Sequence, residues 1–317
     1  MKSPRFRDPR RAKALALSLF IGALAAVYAL VGVRTLWGEW ISAAPPVIWG
    51  VLLLPSAVRL RSGMLLAAIV LFVALTSEWP RLGPGAEPPT RTLRVVSWNI
   101  GAGNREWAKA VLALDPDVVF VQEGMKPAAI PEGYHWYGTL DPGTLSRFSA
   151  EVLPTESVGP WTPPQLLSMD LGGTKVLVAN VRLMLPSVVI QLVNPFEEDP
   201  RKNYRARVAQ YGKLAALLES TAERTGARAI LLAGDFNVPA RMPSLEPLRG
   251  FLEDAWRISG SGWGGTVPEF LPLVRIDQLW LSREIRPVAV RVVRLPGSDH
   301  RAVVTDLILE SASEPDR

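Results

Sequence analysis

Three long apolar runs dominate the first 80 residues and constrain the fold of this chain more than any other feature. Ala14 to Val33 holds 20 residues without a charge, enough for a helix to cross a bilayer core of roughly 30 Å. The runs 40–58 and 62–77 hold 19 and 16 uncharged residues, and the last needs an interfacial Trp79 to span. We therefore predict three transmembrane helices, over residues 14–33, 40–58 and 62–79, rather than a cleaved signal peptide.

The basic residues beside these runs predict the orientation. The N-terminal arm carries six Lys and Arg residues, the first loop only Arg34, and the second loop Arg59 and Arg61. This alternation favours a cytoplasmic N-terminus. Three crossings then predict a multi-pass protein of the cell membrane with the rest of the chain outside the cytoplasm, which the absence of cysteine allows. If residues 62–79 do not cross, the following domain is cytoplasmic.

Residues 80–92 hold four prolines and two glycines, a composition typical of a semi-extended linker. The second domain is predicted over residues 93–317. From Thr92 to Arg317 there are 24 Lys and Arg against 26 Asp and Glu, so the excess positive charge of the whole chain belongs to the predicted membrane part. Because phosphate neutralisation dominates duplex binding, this balance makes nucleic acid a less favoured partner.

The second domain alternates Val-, Ile- and Leu-rich runs with helix-like segments, which predicts an α/β fold. Asn104 is predicted to cap a helix that Asp115-Pro116 ends, and Asp199-Pro200 to begin another whose Tyr211 and Leu214 face the core. Strands are predicted at Leu93–Trp98, Val118–Val121, Lys175–Val181, Ala229–Ala233, Ile276–Leu281 and Ala302–Leu309.

Polar side chains stand at the ends of these predicted strands. Asp235 and Asn237, in Ala-Gly-Asp-Phe-Asn, are two residues apart, so on a strand they would share one face. Each polar residue alone has a simpler explanation, as a turn residue or a solvated charge. Together they supply hard oxygen ligands, a proton acceptor, an amide donor and an imidazole, the groups that metal-assisted hydrolysis of a phosphate ester requires. The full set is Asn99, Glu123, Asp235, Asn237, Asp277, Asp299 and His300.

The motifs around these residues resemble, in order, those of the endonuclease/exonuclease/phosphatase family, and the apolar first part resembles that of its membrane-anchored members. The resemblance covers residues 93–309. It implies a four-layer α+β sandwich, two packed β-sheets flanked by helices, and a phosphohydrolase that uses Mg²⁺, with Mn²⁺ as an alternative. The motifs are Ser97-Trp98-Asn99, Val121-Gln122-Glu123, Leu145-Ser146-Arg147, Gly234-Asp235-Phe236-Asn237, Arg275-Ile276-Asp277 and Ser298-Asp299-His300.

The resemblance also implies a role for each residue. Glu123 would be the main Mg²⁺ ligand, with Asn99 beside it and Asp299 at the metal or at its water. Asp235 would orient or deprotonate the attacking water, although it could equally be a second metal ligand. The remaining roles fall to Asn237, which would hold a phosphate oxygen, and to His300, which would contact the phosphate and be oriented by Asp277.

Arg182 departs from the family pattern, which has a histidine or tyrosine at this strand end. The other histidine of the chain, His135, lies outside the motifs and reads as a surface or packing residue. Arginine cannot shuttle a proton, but its planar fork can clamp a phosphate and stabilise developing charge. A salt bridge unrelated to catalysis is the alternative.

These features predict a membrane-anchored, Mg²⁺-dependent phosphoesterase. Its partners would be the lipid bilayer and a phosphate-ester substrate, for which a lipid phosphate or pyrophosphate is a candidate. Two alternatives stay open, an extracytoplasmic nuclease and a catalytically weak binding module on the same fold.

Overall fold

The structure is a computed structural model that describes residues 9–26, 46–76, 81, 92–102, 104–138, 141–187, 189–190 and 199–309. The chain forms two compact units. One comprises Met1–Trp79, Pro186–Arg201 and Met242–Ser244, and the other Pro80–Leu185, Lys202–Arg241 and Leu245–Arg317.

In the described part of the first unit, three helices share an apolar cluster. They are α1 (Pro9–Ala26), α2 (Pro46–Leu60) and α3 (Gly63–Thr76), with Ile21, Leu65 and Phe72 buried among them. Within the described residues, no helix combines the length and apolarity that a membrane crossing needs. The predicted spans extend into residues 27–45 and 77–80, which lie outside the described part of the chain. The three transmembrane helices therefore stay a prediction.

The second unit is built on two six-stranded sheets. Their strands are β1 (Leu93–Asn99), β2 (Val118–Gln122), β3 (His135–Tyr137), β4 (Gly143–Ser146), β5 (Ala150–Val152), β6 (Gln165–Leu171), β7 (Thr174–Arg182), β8 (Ala229–Asp235), β9 (Glu253–Asp254), β10 (Asp277–Leu281), β11 (Ile285–Val293) and β12 (Ala302–Leu309). The strand order is β11-β12-β1-β2-β4-β3 in the first sheet and β5-β6-β7-β8-β10-β9 in the second. Both sheets are mixed, because β1 and β2 run parallel in the first and β7 and β8 in the second, among antiparallel neighbours.

The main core lies between the two sheets. Val95 and Phe120 of the first sheet share one buried cluster with Val178 and Leu231 of the second. A separate cluster on the first sheet buries Trp107 and Val111 of a short helix. The predicted sandwich of two packed sheets flanked by helices is therefore confirmed. The helices of this part are α4 (Trp107–Leu112), α5 (Pro200–Thr225), α6 (Glu246–Arg249) and α7 (Ala255–Ser259), with a short 3₁₀ turn at Pro243–Leu245.

The six predicted strands are all present, with ends within two residues of the predicted ones. One helix start was wrong. Asn104 does not cap α4, which begins at Trp107 with Glu106 before it and no side-chain cap. Residues 105–106 form a turn, and the Asn104 amide instead donates to the Pro296 carbonyl at 3.3 Å. The start of α5 at Pro200 is confirmed, with the Asp199 carboxylate accepting from the Arg201 N–H at 2.9 Å.

The pairing of the strands assembles polar side chains within each sheet. In the first sheet, Asn99 at the end of β1 is opposite Gln122 at the end of β2. In the second, Arg182, at the end of β7, is opposite Asp235, at the end of β8. Asp277 also pairs with Asp235, because β10 is antiparallel and begins where β8 ends. The ends of β1 and β2 therefore bring polar side chains together in the first sheet. The ends of β7 and β8 and the start of β10 do so in the second.

Candidate active site

Two carboxylates and an imidazole form the buried part of the site. Asp235, Asp277 and His300 are each less than 10% exposed, and their candidate ligand atoms lie within 4.8 Å of one another. His300 Nδ1 is 2.8 Å from Asp277 Oδ2. Its backbone is fixed by the Ser298 hydroxyl, which accepts from His300 N at 3.0 Å. The predicted pairing of His300 with Asp277 is present in this geometry.

Burial and mutual charge alter the proton affinities of this cluster. Burial raises the pKa of Asp235 to about 7, and the charge of Asp277 adds to that rise while His300 opposes it. For His300, burial alone would lower the pKa, but Asp277, Asp235 and Asp299 outweigh it and raise the pKa to about 10. At neutral pH, His300 is therefore an imidazolium that donates from Nδ1 to Asp277, and Asp235 lies near the midpoint of its titration.

Asn237 contacts Asp235, although not for the reason that the strand pattern suggests. Its φ of +51° places it in the left-handed region beyond the end of β8. In this turn the Asn237 N–H donates to Asp235 Oδ1 at 2.9 Å. The Asn237 side-chain amide donates to Asp235 Oδ2 at 3.2 Å and to the Leu183 carbonyl at 2.8 Å. Both amide hydrogens thus have protein acceptors, and its role toward a phosphate oxygen stays a prediction.

Asn99 joins this buried cluster to a more open region. Its side-chain amide donates to Asp235 Oδ2 and to Glu123 Oε1, both at 3.1 Å. Asn99 Oδ1 accepts from the Gly101 N–H at 3.1 Å. Glu123 follows β2 directly, and 29% of its side chain is exposed. A single neutral amide therefore separates the buried carboxylate from the accessible one.

Arg182 bridges two carboxylates at the open side of the site. Nη2 donates to Glu123 Oε1 at 2.7 Å, and Nη1 donates to Asp141 Oδ2 at 3.0 Å. The guanidinium carbon lies 5.4 Å from the centre of the Trp161 ring. Both terminal nitrogens that a phosphate clamp would use are engaged, as in the salt-bridge alternative.

Asp141 was not predicted as a site residue. Burial raises the pKa of its carboxyl, although the Glu123 N–H and the Arg182 guanidinium oppose that rise. It precedes β4, which is antiparallel to β2 and pairs Gly143 with Val121. The start of an antiparallel strand lies at the same edge as the end of its neighbour, so the signal was present but depended on knowing that β4 pairs with β2.

Two other residues, Asp299 and His135, are exposed and make no described hydrogen bond to the cluster. Asp299 is exposed, and its carbonyl accepts from Glu269 N at 2.7 Å. Among the described hydrogen bonds, its carboxylate joins none of those that link the site. The metal role of Asp299 stays a prediction. His135 lies exposed on β3, opposite Ser146, which agrees with a surface position.

The donor set of the site fits a hard divalent cation. Carboxylate and amide oxygens are the ligands that Mg²⁺ and Ca²⁺ take. Asp277 Oδ1 is buried and has no hydrogen-bond partner among the described residues, a state that favours a further charged or polar group in the cluster. Glu123 offers an accessible carboxylate, Asn99 offers a buried amide beside it, and Asp235, Asp277 and His300 form the buried cluster.

The part of the sequence that contains this site matches the model of a known family. Residues 96–300 match the model of the endonuclease/exonuclease/phosphatase family. The chain belongs to that family. The matched range includes every site residue named above and spans well over half of the chain. As a member, the protein is a hydrolase of phosphate esters in a family that depends on a metal.

Solved structures of other proteins share the fold. TDP2 of Caenorhabditis elegans, in truncated form, superposes with a TM-score of 0.52 at 20% identity over 68% of this chain and 98% of that one. A Bacteroides vulgatus family protein gives 0.53 at 17% identity, covering 70% and 100%. The mannosyl-6-phosphatase Bt3783 of Bacteroides thetaiotaomicron gives 0.50 at 16%, covering 68% and 100%. No curated protein matches the chain.

Proposed function

We propose that this protein is a Mg²⁺-dependent phosphoesterase, anchored to a membrane by residues 1–79, that acts on a lipid-linked phosphate. The observation that carries the hydrolytic part is the buried cluster of Asp235, Asp277 and His300 beside the accessible carboxylate of Glu123. A proton acceptor with a pKa of about 7 and an imidazolium lie in one cluster. A base can accept the proton of the attacking water, and an imidazolium can donate to a phosphate oxygen.

Each side chain has a defined part in the proposed reaction. Asp235 accepts the proton of the attacking water, since a base with a pKa near neutrality is best matched to that task. His300 keeps Nδ1 on Asp277, so its Nε2–H is the group that binds a phosphate oxygen. Glu123 and Asn99 would hold the cation. When bound, Mg²⁺ supplies positive charge to the phosphate and lowers the pKa of a coordinated water.

The lipid-linked substrate is supported by the first part of the sequence. Three uncharged runs of 20, 19 and 16 residues precede the domain. The linker, residues 80–92, reaches at most about 40 Å when extended at roughly 3 Å per residue, and less when Arg81 is paired with Gly262 of the domain, as it is in the structure. Anchored in this way, the site would stay in a thin layer beside the bilayer, where lipid head groups far outnumber soluble esters. An enzyme for soluble esters or DNA gains little from this arrangement.

A substrate panel tests the proposal with the full-length protein in proteoliposomes. A lipid phosphate, a soluble phosphodiester, a soluble monoester and nicked plasmid are each supplied with Mg²⁺ or with EDTA. We expect Mg²⁺-dependent hydrolysis, measured by the product of each substrate, to be fastest for the lipid. Preference for the plasmid would favour a nuclease, and no turnover of any ester would favour a binding module.

Localisation needs a separate experiment. Protease added to intact spheroplasts should digest the domain if it lies outside the cytoplasm, while a cytoplasmic marker stays intact. Protection of the domain would place the site on the cytoplasmic side, and release of the protein from the membrane by alkaline carbonate would contradict the transmembrane anchor.

A further inference from the structure

We infer that Asp141 and Arg182 act together as positioning residues that hold Glu123 in the geometry required to bind the metal. The inference rests on the proposed function, in which Glu123 is a metal ligand. It assigns Asp141 a role that its sequence context did not indicate, and it changes the role of Arg182 from a substrate clamp to a support for the ligand. The two residues contact opposite ends of Glu123.

The backbone of Glu123 is held by Asp141. Glu123 has a φ of +57°, in the left-handed region that a residue with a Cβ rarely adopts. Such a conformation persists where surrounding contacts determine it. The Glu123 N–H donates to Asp141 Oδ1 at 2.8 Å, a charge-assisted hydrogen bond at the residue that carries the strain. This turn directs the side chain of Glu123 away from the end of β2 and toward Asn99 and Arg182.

The side chain of Glu123 is held by Arg182, which Asp141 holds in turn. Arg182 Nη2 donates to Glu123 Oε1 at 2.7 Å and Nη1 to Asp141 Oδ2 at 3.0 Å. The two oxygens of Asp141 thus divide between the backbone of Glu123 and the guanidinium that binds its carboxylate. These contacts close a ring through Asp141, Glu123 and Arg182. A ring of three hydrogen bonds restricts both the φ of Glu123 and its side-chain rotamer.

This ring determines which oxygen of the Glu123 carboxylate is left for a metal ion. The described hydrogen bonds to the Glu123 carboxylate, from Arg182 and Asn99, both end on Oε1. They leave Oε2 as the oxygen for a cation on the exposed side. Each Nη atom of Arg182 has a carboxylate partner, so the planar fork faces Glu123 and Asp141, and its Nε is buried without a hydrogen-bond partner among the described residues.

The charge of Arg182 and its role in orienting Glu123 predict opposite changes in metal affinity when Arg182 is replaced. A cation beside the metal ligand repels a metal ion, so removal of the guanidinium would tighten metal binding if charge alone mattered. If Arg182 orients Glu123, its removal weakens binding, because partners of metal ligands are typically worth about 10- to 100-fold in metal affinity. Substitution by lysine distinguishes the effect of charge from the effect of orientation, since lysine keeps the charge but lacks the planar fork that spans two carboxylates.

The test measures Mn²⁺ and Mg²⁺ affinity by calorimetry on the full-length protein in detergent, without substrate. We expect Arg182→Gln and Arg182→Lys to weaken binding alike, by about 10-fold or more. Asp141→Asn should weaken it as well, because the amide cannot accept at both positions. Melting temperatures measured in EDTA identify any variant that fails to fold.

Arg147→Gln is the matched control. Arg147 also bridges two carboxylates, those of Asp115 and Asp117, but it lies at the opposite end of β2, a strand of about 17 Å. This variant removes the same kind of bridge from the same domain, so we expect its metal affinity to equal that of the wild type.

Two results would overturn the inference. Tighter binding by Arg182→Gln with wild-type binding by Arg182→Lys would mean that Arg182 acts through charge alone. Equal losses in Arg147→Gln and Arg182→Gln would mean a general loss of structure. Failure of the proposed function would give a different result from failure of this inference. In that case the wild type binds no metal, or Glu123→Gln binds it as well as the wild type does.

Discussion

The buried and open sides of the site differ in solvent access, and the difference separates two kinds of chemistry. Asp235, Asp277 and His300 are almost fully buried, whereas the side chains of Glu123, Arg182 and Asp141 are 29%, 24% and 18% exposed. Burial raises the pKa of Asp235 to about 7, whereas the pKa of His300 rises to about 10 because Asp277 and its neighbouring carboxylates outweigh the effect of burial. The buried side is therefore suited to proton transfer, and the open side to admitting an ion and a substrate.

Asn99 is where the two sides meet. Its amide donates to the buried Asp235 and to the accessible Glu123. A neutral amide lets the two carboxylates lie close without a direct contact between like charges. The two sides can therefore be changed separately, and isosteric substitutions on each should fail in different ways.

The largest effect is expected on the buried side. Asp235→Asn keeps the shape but cannot accept a proton, and loss of a general base costs about 10²- to 10⁴-fold in rate. We expect kcat to fall about 10³-fold in a steady-state phosphate-release assay. Added Mg²⁺ should not restore it. A variant with wild-type kcat would contradict the proposed role of Asp235, and recovery at high Mg²⁺ would assign Asp235 to the metal instead.

A smaller effect is expected on the open side. Glu123→Gln replaces an anionic ligand by a neutral one, so the Kd for Mg²⁺ should rise by about 100-fold. At 10 mM Mg²⁺ much of the activity should return, unlike that of Asp235→Asn. Calorimetry and a Mg²⁺ titration of the rate measure the two quantities. An unchanged Kd would remove Glu123 from the metal site and with it the distinction between the two sides.

How much of this site could be predicted from the sequence depended on how local each signal was. The run Ala-Gly-Asp-Phe-Asn ends an apolar strand, so the position of Asp235 followed from β8 alone. The partner of His300 was predicted as Asp277 from the family motifs, and the two lie 2.8 Å apart. Residues at the ends of well-formed strands were thus predictable, because strand ends of a mixed sheet meet at one edge.

The remaining features depended on tertiary contacts. Asp141 enters the site through the pairing of β4 with β2, and its own sequence, Asp-Pro-Gly, reads as a turn. The Arg182 contacts join β7 of one sheet to a residue that follows β2 of the other, a relation between sheets that no local pattern encodes. Asn104 was an error of the opposite kind, because its type favours a helix cap but its side-chain amide donates to the Pro296 carbonyl instead.

A third prediction concerns the pH dependence of the buried side. Activity needs Asp235 ionised and His300 protonated, so kcat/KM should rise through about pH 7 and fall through about pH 10. Asp277 raises both of these pKa values. Asp277→Asn should therefore move both limbs of the profile to lower pH, the alkaline one by about 1 to 3 units. Limbs that stay in place would show that Asp277 does not set the charge of His300.

The smallest effect expected is on stability, where the sign follows from the same pKa values. The His300 pKa is raised from 6.5 to about 10 in the folded protein, so its stabilising contribution is complete below pH 6.5 and is lost as the pH rises through about 10. The Asp235 pKa is raised from 3.8 to about 7, so its contribution is complete below pH 3.8 and is lost as the pH rises through about 7.

Between pH 7 and pH 10 the loss of stability should therefore come mainly from His300. In EDTA, we expect His300→Gln to melt about 5 °C below the wild type at pH 7, and the two melting temperatures to converge by pH 10. His135→Gln is the matched control, because it removes the other histidine of the chain from an exposed position on β3, and its melting temperature should follow that of the wild type. Parallel curves for His300→Gln and the wild type would mean that burial cancels the attraction of Asp277, so that His300 is neutral and Asp235 would have to accept the proton of the attacking water without an imidazolium beside it.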